Sequence, residues 1–306
     1  MTTAVTPPRE RPSNAQRAYA ERTLRTLRRR HAVNVVMVGL TFAAAIVATL
    51  PLLFILFYLV SRGASSLSLD FFTNLPAPLG MEGGGMGHAM VGTLVLIGIA
   101  SAIGLPIGIG AGLYLAERGA HPLATTVRFL SDVLNGLPSI VMGIFAWQFV
   151  VRPMGDFSAL AGGFALGAMM IPLVTRTTEE MVRIVPVSLR EAALALGYTR
   201  WRTSLTIVLR TAMAGIVTGV LVAVARIAGE TAPLLFTALG SNYWPTSLTE
   251  GGIASLPHQI YVYATGPYDE WKRQAFAASL VLIGLILVIS LIARYATRGR
   301  FTGSGD

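Results

Sequence analysis

Two charged residues stand where charge is costly. Arg226 and Glu230 lie four apart in the apolar run from about Met213 to Leu239. On a helix this spacing puts both on one face, directed at the interior of a bundle. The pair has two chemical readings. It can neutralise itself as an intrahelical ion pair. It can also hold an anion, because a guanidinium offers a planar fork of donors and a carboxylate only accepts. Arg176 and Glu179 follow another apolar stretch and read either as working groups or as ordinary interfacial charges. Arg128 and Asp132, again four apart, read as a structural ion pair, and Glu117 as an interfacial charge. Covalent chemistry has little to work with. There is no cysteine, so thiolate metal sites, iron–sulfur clusters and cysteine nucleophiles are excluded. His31, His88, His121 and His258 lie outside the apolar stretches and form no HExxH pair, and no metal site is expected. Lys272, the one lysine, follows Trp271, which rules out a P-loop.

The elements that position these groups are apolar. Of 306 residues, 53% are hydrophobic and 13% charged, against about 25% charged in soluble domains. The mean hydropathy is +0.62. A helix needs about 20 apolar residues to cross a bilayer core of about 30 Å. Six stretches qualify, at about 33–60, 90–115, 126–151, 157–174, 213–239 and 276–295. The expected fold is therefore all-α, a polytopic membrane protein with six transmembrane helices. The first stretch is too long for a signal-peptide core and no small-residue cleavage site follows it, so it reads as a retained span. Pro51, Pro106, Pro138, Pro172 and Pro233 fall inside these stretches and predict irregular helices around a pathway. Gly108-Ile-Gly110-Ala-Gly112 has no strand before it and reads as close helix packing by small residues.

The net charge of +9 is distributed as in a membrane protein, not a nucleic-acid binder. Eight arginines fall in residues 1–31, six between Arg176 and Arg210, and three in Arg294, Arg298 and Arg300. The segments 61–89 and 240–272 carry one basic residue each, Arg62 and Lys272. Positive-inside counting puts both termini and the loop of about 177–205 in the cytoplasm. The chain then divides into a basic N-terminal segment (1–31), a first span (32–61), an external loop (62–89), a core (90–297) and a tail (298–306). The arginines of the first segment are placed to meet anionic membrane lipid. In the loop, Ser188 and Glu191 fit a capping box that starts a helix, and Gly197 is placed to end it. The small residues Ala192, Ala193 and Ala195 would let another protein approach closely, or the helix would lie on the membrane. The tyrosines and Trp244 of segment 240–272 fit an interfacial aromatic belt or a docking surface.

Glu191-Ala-Ala-x-x-x-Gly197, followed by Ile207 and Leu209, resembles the EAA loop of ABC importer permeases, with Arg210 where a proline is usual. Met170-Ile-Pro-Leu-Val-Thr-Arg-Thr-Thr-Glu179, Gly215-Ile-Val-Thr-Gly219 and Arg226-Ile-Ala-Gly-Glu230-Thr-Ala-Pro-Leu-Leu-Phe-Thr-Ala238 are similar to the PstA-type permeases of phosphate ABC importers. So are Leu105–Glu117 and Gly136-Leu-Pro-Ser-Ile-Val-Met-Gly143. The resemblance covers about residues 90–297. It implies the type I, MetI-like permease fold and a place in a bacterial inner membrane. It implies Glu191, Ala192, Ala193 and Gly197 as the part that couples to an ATPase, and a contribution of Arg176 and Glu179 to the path. It also implies partners: a second, PstC-type permease, a PstB-type ATPase dimer and an external PstS-type phosphate-binding protein. No cofactor and no catalytic residue are implied in this chain. The chemistry of Arg226 and Glu230 agrees, because a carboxylate can accept from a protonated P–OH but would repel fully deprotonated sulfate. Three alternatives stay open here: a permease for sulfate or molybdate, a passive channel, and an intramembrane enzyme.

Overall fold

A computed structural model describes residues 14–78, 81, 83–119 and 121–298. Most of the tail and residues 1–13 of the basic N-terminal segment lie outside the described residues. Every regular element described is helical, and the extended contacts are two isolated bridges, Pro76 with Gly84 and Leu239 with Ile253. The chain divides into two units, Met1–Tyr58 and Leu59–Asp306. Helix α1 (Asn14–Gly63) makes up the described part of the first and continues into the second. Its apolar length, Arg29–Ser66, suffices to cross a membrane.

The second unit holds α2 (Gly87–Glu117), α3 (Pro122–Gly136), α4 (Ser139–Met154), α5 (Ala159–Ile184), α6 (Val187–Ala195), α7 (Arg200–Ala228), α8 (Leu234–Thr237), α9 (Leu256–Thr265) and α10 (Asp269–Arg298). Helices α1, α2, α5, α7 and α10 are each long and apolar enough to span, and α3 with α4 supplies a sixth crossing only as a pair. The stretch expected as one span over 126–151 is thus two helices meeting at 106°. The cause is Leu137–Pro138. Proline offers no N–H and biases the residue before it away from helix, and Leu137 is extended at φ −72°, ψ 137°. Pro51, Pro106 and Pro172 sit inside helices that continue past them. The fifth stretch, expected to reach Leu239, leaves the helix at Ala228.

The most extensive packing is between α2 and α5. Three glycines four residues apart make it possible. A Cβ on Gly104 would lie 3.0 Å from the Met170 side chain, on Gly108 2.8 Å from Val174, and on Gly112 2.5 Å from the Thr175 carbonyl. Gly110, between them, faces open space. The small-residue reading therefore holds for one face of α2, where close approach replaces side-chain volume. Leu96, Ala100, Leu166, Met170, Val174, Ala223, Ile227 and Leu234 form the buried cluster around this contact.

Candidate functional site

Helix α7 ends just where its charges begin. The Gly229 and Glu230 amides donate to the carbonyls of Arg226 and Ile227, both at 3.2 Å, tightening the last turn. The chain then leaves the helix, and Leu234 N donates to Thr231 O at 3.1 Å to open α8. Pro233 at that boundary has no amide with which to continue α7. Glu230 consequently stands in the break, not on the helical face that its spacing predicted. Its Oε1 is 3.8 Å from Arg226 Nε, an ion pair too long for a hydrogen bond. Glu230 is largely covered, while the Arg226 side chain is 51% exposed within this chain. Within this chain Glu230 is turned inward, while Arg226 lies on an open face of α7. What results is a guanidinium whose donors Glu230 does not occupy, beside an acceptor.

The break is held firmly. Thr237 Oγ1 donates to Pro233 O at 2.8 Å, and Ser158 N donates to Thr237 O at 3.1 Å. Gly143 of α4 lies so close that a Cβ there would be 2.7 Å from Pro233 Cα.

Glu179 and Arg176 lie elsewhere, well inside the second half of α5. Glu179 is 1% exposed and is surrounded by arginines. Arg128 of α3 donates to its Oε1 from Nε (3.1 Å) and Nη2 (2.7 Å). Arg183 Nη2 approaches the same oxygen at 2.7 Å, and Arg176 Nη1 reaches Oε2 at 3.4 Å. Arg176 also sits 3.6 Å from Glu180. The expected Arg128–Asp132 pair does not form within 4 Å among the described residues. A buried carboxylate in low dielectric attracts a cation more strongly than an exposed aspartate does. Glu117, read as an interfacial charge, pairs with Arg190, whose Nη2 also donates to Val182 O at 3.1 Å.

Arg190 belongs to α6, which lies in the middle of the loop expected over 177–205. The predicted capping box is absent. Pro186 occupies the N-cap position and Ser188 lies inside the helix. The C-terminal expectation holds. Gly197 has φ +84°, its amide donates to Leu194 O (3.0 Å), and Tyr198 N donates to Ala193 O (3.1 Å), which is a Schellman closure. Glu191 and Ala192 are exposed, whereas Ala193 is buried. Val187, Leu194, Leu196 and Trp201 stand exposed in and beside α6.

Residues 104–301 match the family model of binding-protein-dependent transport system inner membrane components. The chain belongs to this family. It is a multi-pass membrane protein. Over 262 residues it is 44% identical to the phosphate transport system permease protein PstA of Yersinia pestis, covering 85% of this chain and 88% of the relative. It is 43% identical to PstA of Haemophilus influenzae (85% and 92% covered) and 38% identical to PstA 1 of Mycobacterium tuberculosis strain H37Rv (88% of each). Its fold resembles a chain of a bacterial alginate ABC transporter in complex with a pentasaccharide-bound periplasmic protein. That likeness has a TM-score of 0.63 at 17% identity over 88% of this chain and 96% of the other. A chain of the inward-facing MetNI methionine transporter matches with TM-score 0.53 at 21% identity, covering 70% and 94%. These likenesses bear out the MetI-like fold.

In this transport component, sequence reasoning missed Arg128 and Arg183 as partners of Glu179. The i,i+4 spacing from Glu179 to Arg183 was readable. Nothing local links Arg128 to a residue 51 positions away. It also placed His88 outside the spans, whereas it lies fully buried in the first turn of α2. Of the aromatic residues in segment 240–272, Tyr263 is buried and stacks on Trp271 with centroids 4.6 Å apart, so it packs a core instead of forming a belt.

Proposed function

We propose that this chain is a permease subunit of an ATP-driven inorganic phosphate importer, forming half of the translocation path. The carrying observation is the Arg226–Glu230 arrangement at the end of α7. A half-exposed guanidinium that Glu230 leaves beyond hydrogen-bond distance can clamp two phosphate oxygens, and Glu230 can accept from the protonated P–OH. The names of the PstA relatives support the substrate. A helix broken around a charged pair is also how transporters commonly build a midplane site. Arg176 contributes at the edge of the path, with Glu179 holding it.

The second half of the path comes from a PstC-type permease, ATP hydrolysis from a PstB-type dimer, and phosphate from a PstS-type binding protein. Both termini and α6 face the cytoplasm. Glu191, Ala192, Ala193 and Gly197 form the element on which the ATPase acts, Ala193 by seating α6 and the other three at its surface. Nucleotide-driven closure pushes α6, and the path switches between outward and inward access.

The test is uptake of radiolabelled phosphate by the reconstituted complex carrying Arg226→Gln/Glu230→Gln at equal membrane abundance. The expected result is assembly without transport. Recovery of near wild-type uptake in this double variant would make the pair merely structural and remove the site. Competition by sulfate against wild-type uptake would assign the path to another oxyanion.

A further inference from the structure

Arg176 is followed four residues later by Glu180, as Arg226 is by Glu230. The two pairs are alike in the structure. Arg176 Nε lies 3.6 Å from Glu180 Oε1 and Arg226 Nε 3.8 Å from Glu230 Oε1, both too far for a hydrogen bond. The two guanidinium groups are 41% and 51% exposed within this chain. Glu180 is 58% exposed, against 1% for its neighbour Glu179, whose charge is taken up by Arg128 and Arg183. Of the two adjacent carboxylates, Glu180 is the one that an anion can meet.

The packing of α5 on α7 relates the two pairs. A Cβ on Gly219 of α7 would lie 2.7 Å from the Thr177 side chain of α5, and Gly215 meets Met181 in the same way. Four residues back on α7 match four residues forward on α5, so the helices run antiparallel in this register. Antiparallel helices place residues three positions after such a contact on the same side. Those residues are Glu180 and Val222, both exposed. Three positions before it stand Val174 and Ile216, on the opposite side and both buried. At about 100° per residue, Arg176 and Arg226 also turn to the exposed side. The register separates them by about six residues along the axes, about 9 Å at a rise of 1.5 Å per residue. One open face of the α5–α7 pair thus carries two guanidinium–carboxylate pairs at successive levels.

We propose that Arg176 and Glu180 form a second anion station of the path, with Glu180 the carboxylate that meets phosphate there and Glu179 only a support for Arg176. This inference rests on the phosphate-path reading above and adds a residue to it. Stability does not account for the pair, because an exposed ion pair contributes little to it. Glu180 does at this level what Glu230 does at the other. A carboxylate only accepts, so it takes a hydrogen bond from a protonated P–OH and repels fully deprotonated sulfate. In the topology proposed above, this station lies on the cytoplasmic side of Arg226, one short step further along the same face.

The experiment uses the complete reconstituted complex in vesicles loaded with ATP, with or without sulfate inside. Binding protein and radiolabelled inorganic phosphate are supplied outside, and the melting temperature of each complex is measured beside uptake. Glu180→Gln should lower uptake about tenfold at equal membrane abundance and melt as the wild type does. Internal sulfate should leave wild-type uptake unchanged and slow the Glu180→Gln complex further, because the glutamine amide donates to sulfate where the carboxylate repelled it. Wild-type uptake in Glu180→Gln would overturn the station. So would a loss of uptake that comes with a lowered melting temperature, which would make Glu180 a structural charge, or an equal response of both complexes to sulfate. Failure of the wild-type complex to import phosphate would instead defeat the functional reading itself.

Discussion

Replacing Arg128 by methionine tests whether the Glu179 cluster holds α3 to α5. The substitution keeps length and removes both the charge and the donors. Glu179 is 1% exposed and would lose two hydrogen bonds, at 3.1 and 2.7 Å. Breaking a buried pair costs about 3–5 kcal/mol when nothing else compensates. Here Arg183 at 2.7 Å and Arg176 at 3.4 Å remain on the carboxylate. The loss should therefore be at the level of one charged hydrogen-bonding group, about 2–3 kcal/mol. Glu179→Gln should cost about 3–5 kcal/mol, because three arginines then face one another without their anion. The double variant Arg128→Met/Glu179→Gln should cost less than the two losses added, with a coupling energy of about 1.5–3 kcal/mol. Equilibrium unfolding of the purified chain in mixed detergent gives all four corners of the cycle. Additivity within about 0.5 kcal/mol would show that the contact carries no coupling and that α3 is held by other packing.

Gly197→Val should leave the chain inserted but weaken ATPase association or uncouple hydrolysis from transport. No atom lies within 4 Å of a Cβ there, so the effect comes from a left-handed conformation that a β-branched residue resists. Co-purification and uptake at wild-type levels would refute it. Gly108→Ala and Gly110→Ala should shift stability in opposite directions. The first presses on Val174 and should cost about 1–3 kcal/mol, while the second should gain about 0.5–1 kcal/mol from helix propensity. Thermal unfolding of the two chains in one detergent compares them. His258 adds a pH term, since burial holds its pKa below the ordinary 6.5. The unfolded chain then binds a proton that the folded one refuses, so stability is full above pH 6.5 and falls as pH drops below it. His258→Gln should flatten that acid limb in an unfolding series from pH 7.5 to pH 5 (about two and a half units, spanning the ordinary histidine range).

Composition and arginine placement made the helical class legible, because a bilayer demands length and apolarity and little else. Gly197 was legible for a similar reason: one local conformation decides it. Helix ends were harder. Pro138 and Pro233 mark breaks, while Pro106 and Pro172 do not, since neighbouring helices can accommodate a proline that the sequence alone shows as equivalent. The Arg226–Glu230 spacing was readable, but not that Gly229 would place the glutamate beyond the helix. Ser188 matched a capping box, yet Pro186 had already fixed the entry to α6 two residues earlier. The Glu179 cluster depends on a contact across two helices, which no periodicity encodes.

The glycine stripe of α2 also determines where this molecule can bend. Backbones packed through Gly104, Gly108 and Gly112 leave no sliding room, because any shift in register would drive Cβ atoms of α5 into the main chain of α2. These two helices therefore act as a chassis. The two helix breaks, Leu137–Pro138 and Gly229–Pro233, lie outside it. Gly143, inside α4 beyond the first break, packs directly against Pro233 at the second, so a displacement of α4 reaches that second break. The Arg190–Glu117 link fastens α6 to the chassis itself, so a displacement of α6 is carried directly into the frame.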